Sequence, residues 1–83
     1  MQTSERIRMF ITGNFYVADP AALSDGESLL EAGIIDSTGV LEVLGFLERE
    51  FGITMSDDEI LPENLDSIAR LTAFVGRKLG TAS

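Results

Sequence analysis

The sequence predicts an all-α domain with three main helices and one short one, and three observations carry that reading. Apolar residues recur at spacings of three and four in three separate stretches. Aspartate and serine stand together at the head of two of those stretches, where such side chains cap the free amides of a first turn. No stretch shows the apolar/polar alternation of a half-buried strand. At 45% hydrophobic, the chain has enough apolar side chain to fold despite a net charge of -8. Its 83 residues suffice for one core and no second one, so residues 1–83 read as a single domain, ordered over about 4–79 with a tail at 80–83.

The elements follow in order. From Ser4 to about Phe15, the residues Ile7, Phe10, Ile11 and Phe15 share one helical face, with Thr3 or Ser4 as the cap. Residues 16–33 then form a long connection containing Pro20 and Gly26, with Leu29, Leu30, Ile34 and Ile35 spaced to return to the core. Connections of this length are uncommon in a small domain and are often functional. Asp36 or Ser37 opens a second helix that runs to about Phe51. Val40, Leu44, Leu47 and Phe51 form its apolar face, and Leu41, Val43 and Phe46 widen it. Gly52 ends the helix as a left-handed cap. Ser56 and Glu59 have the spacing of a capping box, so a short helical turn starts there, limited by Pro62. Asp66 or Ser67 begins the last helix, with Ile68, Leu71, Phe74, Val75 and Leu79 on one stripe and Gly76 as a local weak point.

Composition excludes several chemistries. The chain has no cysteine and no histidine, which removes Ser/His and Cys/His nucleophilic catalysis and the usual zinc sites. The protein is therefore expected not to be an enzyme. Between Asp19 and Asp66 there are 13 acids and a single base, Arg49, while the other five bases lie towards the two ends. That distribution disfavours nucleic acid and anionic membranes and favours basic protein partners. Asp57, Asp58, Glu59 and Glu63 cluster but lack the alternating ligands and central glycine of a calcium loop, so no metal is expected. Without an apolar run suited to a signal peptide or a membrane span, the expected location is the cytoplasm.

Capping alone explains an Asp-Ser pair, so the two pairs must be separated by context. Ser37 follows the long connection and heads a short-side-chained, mostly acidic stripe of Thr38, Glu42, Gly45 and Arg49, with Glu48 beside it. Ser67 is followed by Ala69 and Arg70 and heads a helix that ends in Arg77 and Lys78, charges suited to the negative end of a helix dipole. Ser67 is thus expected to be a cap and Ser37 a site. A phosphate on Ser37 would sit at the positive end of its helix, although the charge of Asp36 works against it. Asp36 is better matched to a cation or to an arginine on whatever modifies Ser37. No neighbouring base activates Ser37, so it is expected to be another enzyme's substrate.

Residues 33–53, GIIDSTGVLEVLGFLEREFGI, together with the preceding SLLEA, resemble the core motif of acyl and peptidyl carrier proteins. The resemblance covers most of the chain and implies a four-helix bundle with a long loop between its first two helices and a short third helix. It further implies that Ser37 receives 4'-phosphopantetheine from coenzyme A through a phosphopantetheinyl transferase, with Asp36 serving transferase recognition. The arm's thiol would carry acyl groups as thioesters. Thr38, Glu42, Gly45, Glu48 and Arg49 would meet the basic docking surfaces of partner enzymes. Those partners would be an acyl- or aminoacyl-activating ligase and downstream transferases or synthases, met by a monomeric carrier.

Thr38 stands where the family most often has a bulky apolar residue, and Gly45 where a bulky residue is also common. Both trim the apolar docking surface, which points to dedicated partners in a specialised pathway rather than general fatty-acid synthesis. A glycine inside a helix costs roughly 0.5–1 kcal/mol relative to alanine, so Gly45 is either tolerated or kept for close approach of a partner. The residues leave open an aminoacyl or peptidyl carrier loaded by an adenylating ligase. The two carriers would differ in an apolar cavity for the chain, with Phe46, Leu47, Ile60 and Leu61 as candidate walls. An unmodified acidic helical adaptor is the alternative of another class.

Overall fold

The computed structural model describes residues 3–80. It is all-helical among those residues, with α1 at Thr3–Asn14, α2 at Ser37–Phe51, α3 at Pro62–Leu65 and α4 at Ile68–Lys78. Two 3₁₀ turns, Pro20–Ala22 and Asp57–Glu59, punctuate the connections. This is the four-helix, carrier-protein type of bundle that the sequence predicts, with α4 packed against α1 and α3. The last three residues of the expected tail lie outside the described residues.

The core draws on every main element: Ile7 and Ile11 from α1, Val43, Leu44 and Leu47 from α2, and Ile68, Leu71, Phe74 and Val75 from α4. The long connection contributes Leu23, Leu29 and Ile35. Fully burying a residue of this size stabilises by roughly 1.5–3 kcal/mol, so these three side chains tether a segment that has little regular structure of its own. Leu29 and Ile35 act as expected, whereas Leu30 is exposed and Leu23 takes the second deep position in the loop.

The helix ends show local sequence at work. Asp36 caps α2 by accepting from the Gly39 amide, and Gly52, at φ 67°, closes it in the left-handed conformation. Ser67 caps α4 by accepting from the Arg70 amide, and the helix runs through Gly76 to Lys78. The capping box forms between Ser56 and Glu59, around a turn of only three residues. Pro62 does not simply limit that turn: it occupies the first position of a separate helix, α3, where its missing N–H costs nothing. Thr3 and Ser4 both lie inside α1, so neither caps it.

Three ion pairs draw the basic ends onto the acidic middle: Arg6 with Glu50, Arg8 with Asp25, and Lys78 with Glu59. Phe10 stacks on Phe46 with ring centroids 4.1 Å apart. Phe15 and Phe51 meet that pair edge-on. Phe46 thus belongs to the α1–α2 side of the bundle and Leu47 to the closed core, so neither borders the cavity that the sequence suggests for them.

Candidate functional site

Ser37 is the first helical residue of α2, and its side chain is exposed. The aspartate before it, not the serine, makes the cap: Asp36 Oδ1 accepts from the Gly39 N–H at 2.8 Å. The Ser37 hydroxyl is consequently without a protein partner among the described residues, as are the Ser37 and Thr38 amides. An exposed hydroxyl beside two open amides at a helix start can be esterified by phosphate, because the added anion meets N–H groups and the positive end of the dipole. Asp36 uses one carboxylate oxygen for the cap and leaves the other exposed.

The first turn of α2 sits close to the rest of the bundle because residue 39 is glycine. A Cβ there would stand 3.0 Å from Phe15 Cε1, 3.1 Å from Ile35 Cγ2 and 3.4 Å from Asp36 Oδ1. The missing side chain therefore lets α2 pack against the end of the long connection and fixes the height at which Ser37 is presented. Gly39 is buried, and nothing in its local spacing distinguishes it from a residue of the polar stripe. Gly45 differs, since a Cβ there would meet only the Arg49 guanidinium at 3.7 Å.

Ser37 stands at the rim of a groove of about 340 Å³ between the loop, α2 and α3. Its walls are Leu29, Leu30, Ile35, Val40, Leu41, Ile60, Leu61, Pro62 and Leu65, and Asp66 is the one charged residue among them. Ile60 and Leu61 are the expected wall residues that the structure places there. Leu41 is the main correction to the sequence reading. Expected on the buried face, it is 67% exposed, because α3 has only four residues and leaves that side of α2 uncovered. Leu30 and Leu61 are also exposed, at 38% and 39%, so three large apolar side chains converge on the groove beside the serine. Periodicity could not reveal this, since Leu41 continues the same stripe that elsewhere fills the core.

The remaining site residues divide plainly. Thr38, Glu42, Glu48 and Arg49 are exposed on α2 and Gly45 is half-buried. Among the described residues the side chains of Glu42 and Glu48 have no ion-pair partner, unlike Glu50 and Glu59. Ser67 is 3% exposed and committed to its cap. Sequence reading missed Asp66 in its actual place. Its carboxylate accepts from the Leu30 N–H and the Ser28 hydroxyl, and its backbone carbonyl accepts from the Leu29 N–H. Partners 36 and 38 residues away leave no local pattern to find.

This geometry, one free serine hydroxyl at a helix start beside an apolar groove, agrees with the comparison by family. A family model described as a phosphopantetheine attachment site matches residues 5–75, nearly the whole described chain. The chain belongs to that family. No curated protein matches it. Domains of this family are non-catalytic carriers, and membership implies a phosphopantetheine prosthetic group. No helix among the described residues is long and apolar enough to cross a membrane.

Proposed function

We propose that this carrier domain takes its arm on Ser37 and holds acyl intermediates for the enzymes of a specialised pathway. The single observation that carries the reading is the exposed, unpartnered Ser37 hydroxyl at the rim of an apolar groove. In the modification, the Ser37 oxygen forms a bond to phosphorus in coenzyme A, adenosine bisphosphate leaves, and the hydroxyl proton passes to a base of the phosphopantetheinyl transferase. The chain supplies no base of its own, having no histidine. Asp36 offers its exposed carboxylate oxygen to an arginine of that transferase. The arm, once attached, supplies a thiol that binds the cargo as a thioester.

The groove favours acyl cargo over the aminoacyl or peptidyl cargo that the sequence also allows. Its aliphatic walls would shield a hydrocarbon chain, with each buried methylene worth about 0.8 kcal/mol. Glu42 and Glu48, with Thr38, Gly45 and Arg49 around them, form the face offered to partner enzymes. Their open carboxylates suit basic docking surfaces, in brief, salt-sensitive encounters. The exposed Leu41 restores to this face part of the apolar contact that Thr38 and Gly45 lack. The carrier acts in the cytoplasm as a monomer.

Intact-protein mass spectrometry after incubation with coenzyme A and a broad-specificity transferase tests the site. Wild type and Ser67→Ala are expected to gain the mass of one arm and Ser37→Ala none. If the arm still appears on Ser37→Ala, the site is misplaced. If wild type, purified without an arm, gains nothing from several transferases, the chain is an unmodified acidic adaptor instead.

A further inference from the structure

The groove beside Ser37 is aliphatic except at Asp66, and that exception has a use. The bonds of Asp66 to the loop explain why the residue is there, but not what its remaining acceptor positions do at the wall of a groove. Burying a charged group against methylenes removes its water and gives no hydrogen bond in return. Asp66 is half-buried, and it is held in place rather than free to swing away. One oxygen accepts from the Leu30 N–H at 2.9 Å, and the other accepts from the Ser28 hydroxyl. Ser28 is itself fixed by accepting from the Glu31 N–H at 3.1 Å. Leu29 and Leu30, the groove's loop wall, are therefore tied directly to this residue.

A carboxylate has about four acceptor positions, of which these two bonds use one on each oxygen. Capacity for two further donors remains on a side chain whose position is already fixed. In an unoccupied groove that capacity is open to water. A saturated chain would displace the water without replacing its hydrogen bonds, whereas a chain carrying a hydroxyl or amine would replace them. Sites built to hydrogen-bond a substrate group discriminate against the analogue that lacks it, because the polar partner is then left unpaired.

We infer that Asp66 is a specificity-determining residue that selects acyl cargo bearing a hydrogen-bond donor, a hydroxyl or an amine, over the unsubstituted chain. The inference rests on the proposed loading of Ser37 and narrows the class of cargo. Ser28 and the Leu30 amide are the positioning groups that hold the carboxylate at the wall. Asp66 of the second Asp-Ser pair would then serve the same groove as Ser37 of the first.

The test loads wild type and Asp66→Asn with arms carrying octanoyl, octanoyl with a hydroxyl walked along the chain from the third to the seventh carbon, and an amino-terminated octanoyl. Asparagine keeps the loop in place, since its oxygen accepts from Leu30 and its amide donates to Ser28, and a thermal melt confirms the fold. Intact mass first establishes that the arm is on Ser37. Two readouts are then taken: the rate of thioester hydrolysis, and shifts of the Leu29, Leu30 and Asp66 amide resonances. In wild type, at least one donor-bearing chain is expected to be hydrolysed several-fold more slowly than octanoyl and to shift those resonances further. Asp66→Asn, which swaps one acceptor position for a donor and loses the charge, is expected to erase most of the difference for the amine and to reduce it for the hydroxyl. Equal protection of every chain in wild type, or a preference unchanged in Asp66→Asn, overturns the inference while leaving the carrier reading intact. Failure of Ser37 to take any arm overturns both.

Discussion

Asp-Ser heads two helices of this chain, and the two pairs divide their roles in opposite ways. At the head of α2 the aspartate caps the helix, which leaves the serine exposed and without a partner. At the head of α4 the serine caps and is buried, which leaves the aspartate to reach across to the loop. The difference arises from which residue of the pair occupies the cap position. Moving the cap by one residue exchanges the side chain that is used up for the one that is available. A cap-forming dipeptide carries two polar side chains and a helix start consumes only one, so the spare one is where function is to be sought.

Urea unfolding of single variants tests this division of roles, and Asp66 is expected to matter most. Its carboxylate makes two hydrogen bonds to the loop, and such bonds to a charged group contribute about 1.5–3 kcal/mol each. Allowing for their partly exposed setting, Asp66→Ala is expected to cost about 2–4 kcal/mol in urea unfolding. Asp36→Ala removes only a cap and is expected to cost about 1 kcal/mol. Of the serines, the one that caps should cost more: about 1–2 kcal/mol for the buried Ser67→Ala, and within about 0.5 kcal/mol for Ser37→Ala. Equal costs for the two serines would mean that the division of roles is wrong.

The third residue of each helix sharpens the contrast. Each cap accepts from the amide at that position, which is Gly39 in α2 and Arg70 in α4. Arginine fits in α4, where its guanidinium donates to the Glu63 carbonyl. In α2 even a Cβ would press on Phe15 and Ile35. Gly39→Val is therefore expected to cost about 1–3 kcal/mol through overpacking. Gly45→Ala, whose Cβ would make only an ordinary contact with the Arg49 guanidinium, is expected to stabilise by about 0.5–1 kcal/mol. If Gly45→Ala also slows transfer of cargo to a partner, the gap at that position serves docking.

The fold is largely legible in the sequence because helices, caps and the glycine stop are local devices. Asp36, Gly52, Ser67 and the Ser56–Glu59 box all act within four residues of themselves. That Ser37 is the exposed serine and Ser67 the buried cap is legible as well, through their flanks. Leu41 and Asp66 are not. Leu41 lies on an apolar stripe whose covering depends on the length of α3, and Asp66 bonds to residues more than thirty positions away. Both therefore depend on tertiary arrangement, and together they give the groove its open side and its charge. Pro62 resists local reading for a related reason: a proline can close the element before it or open the one after it, and only the path of the chain shows which.

The smallest effect concerns the turn before α3, which an ion pair ties to the end of α4. The Lys78 ammonium, 2.8 Å away, and the Ser56 amide hold the Glu59 carboxyl at about 2, below its ordinary 4.5. A carboxyl whose folded value is depressed stabilises the fold fully above its unfolded value and loses that contribution as the pH falls through the folded one. Glu59→Gln has no such titration. Wild type is therefore expected to exceed Glu59→Gln in urea midpoint by a constant margin above about pH 5, and the margin should shrink as the pH falls towards about 2. A margin for Glu59→Gln that stays constant throughout would show that the turn before α3 is held by packing of Ile60 and Leu65, not by its tie to Lys78.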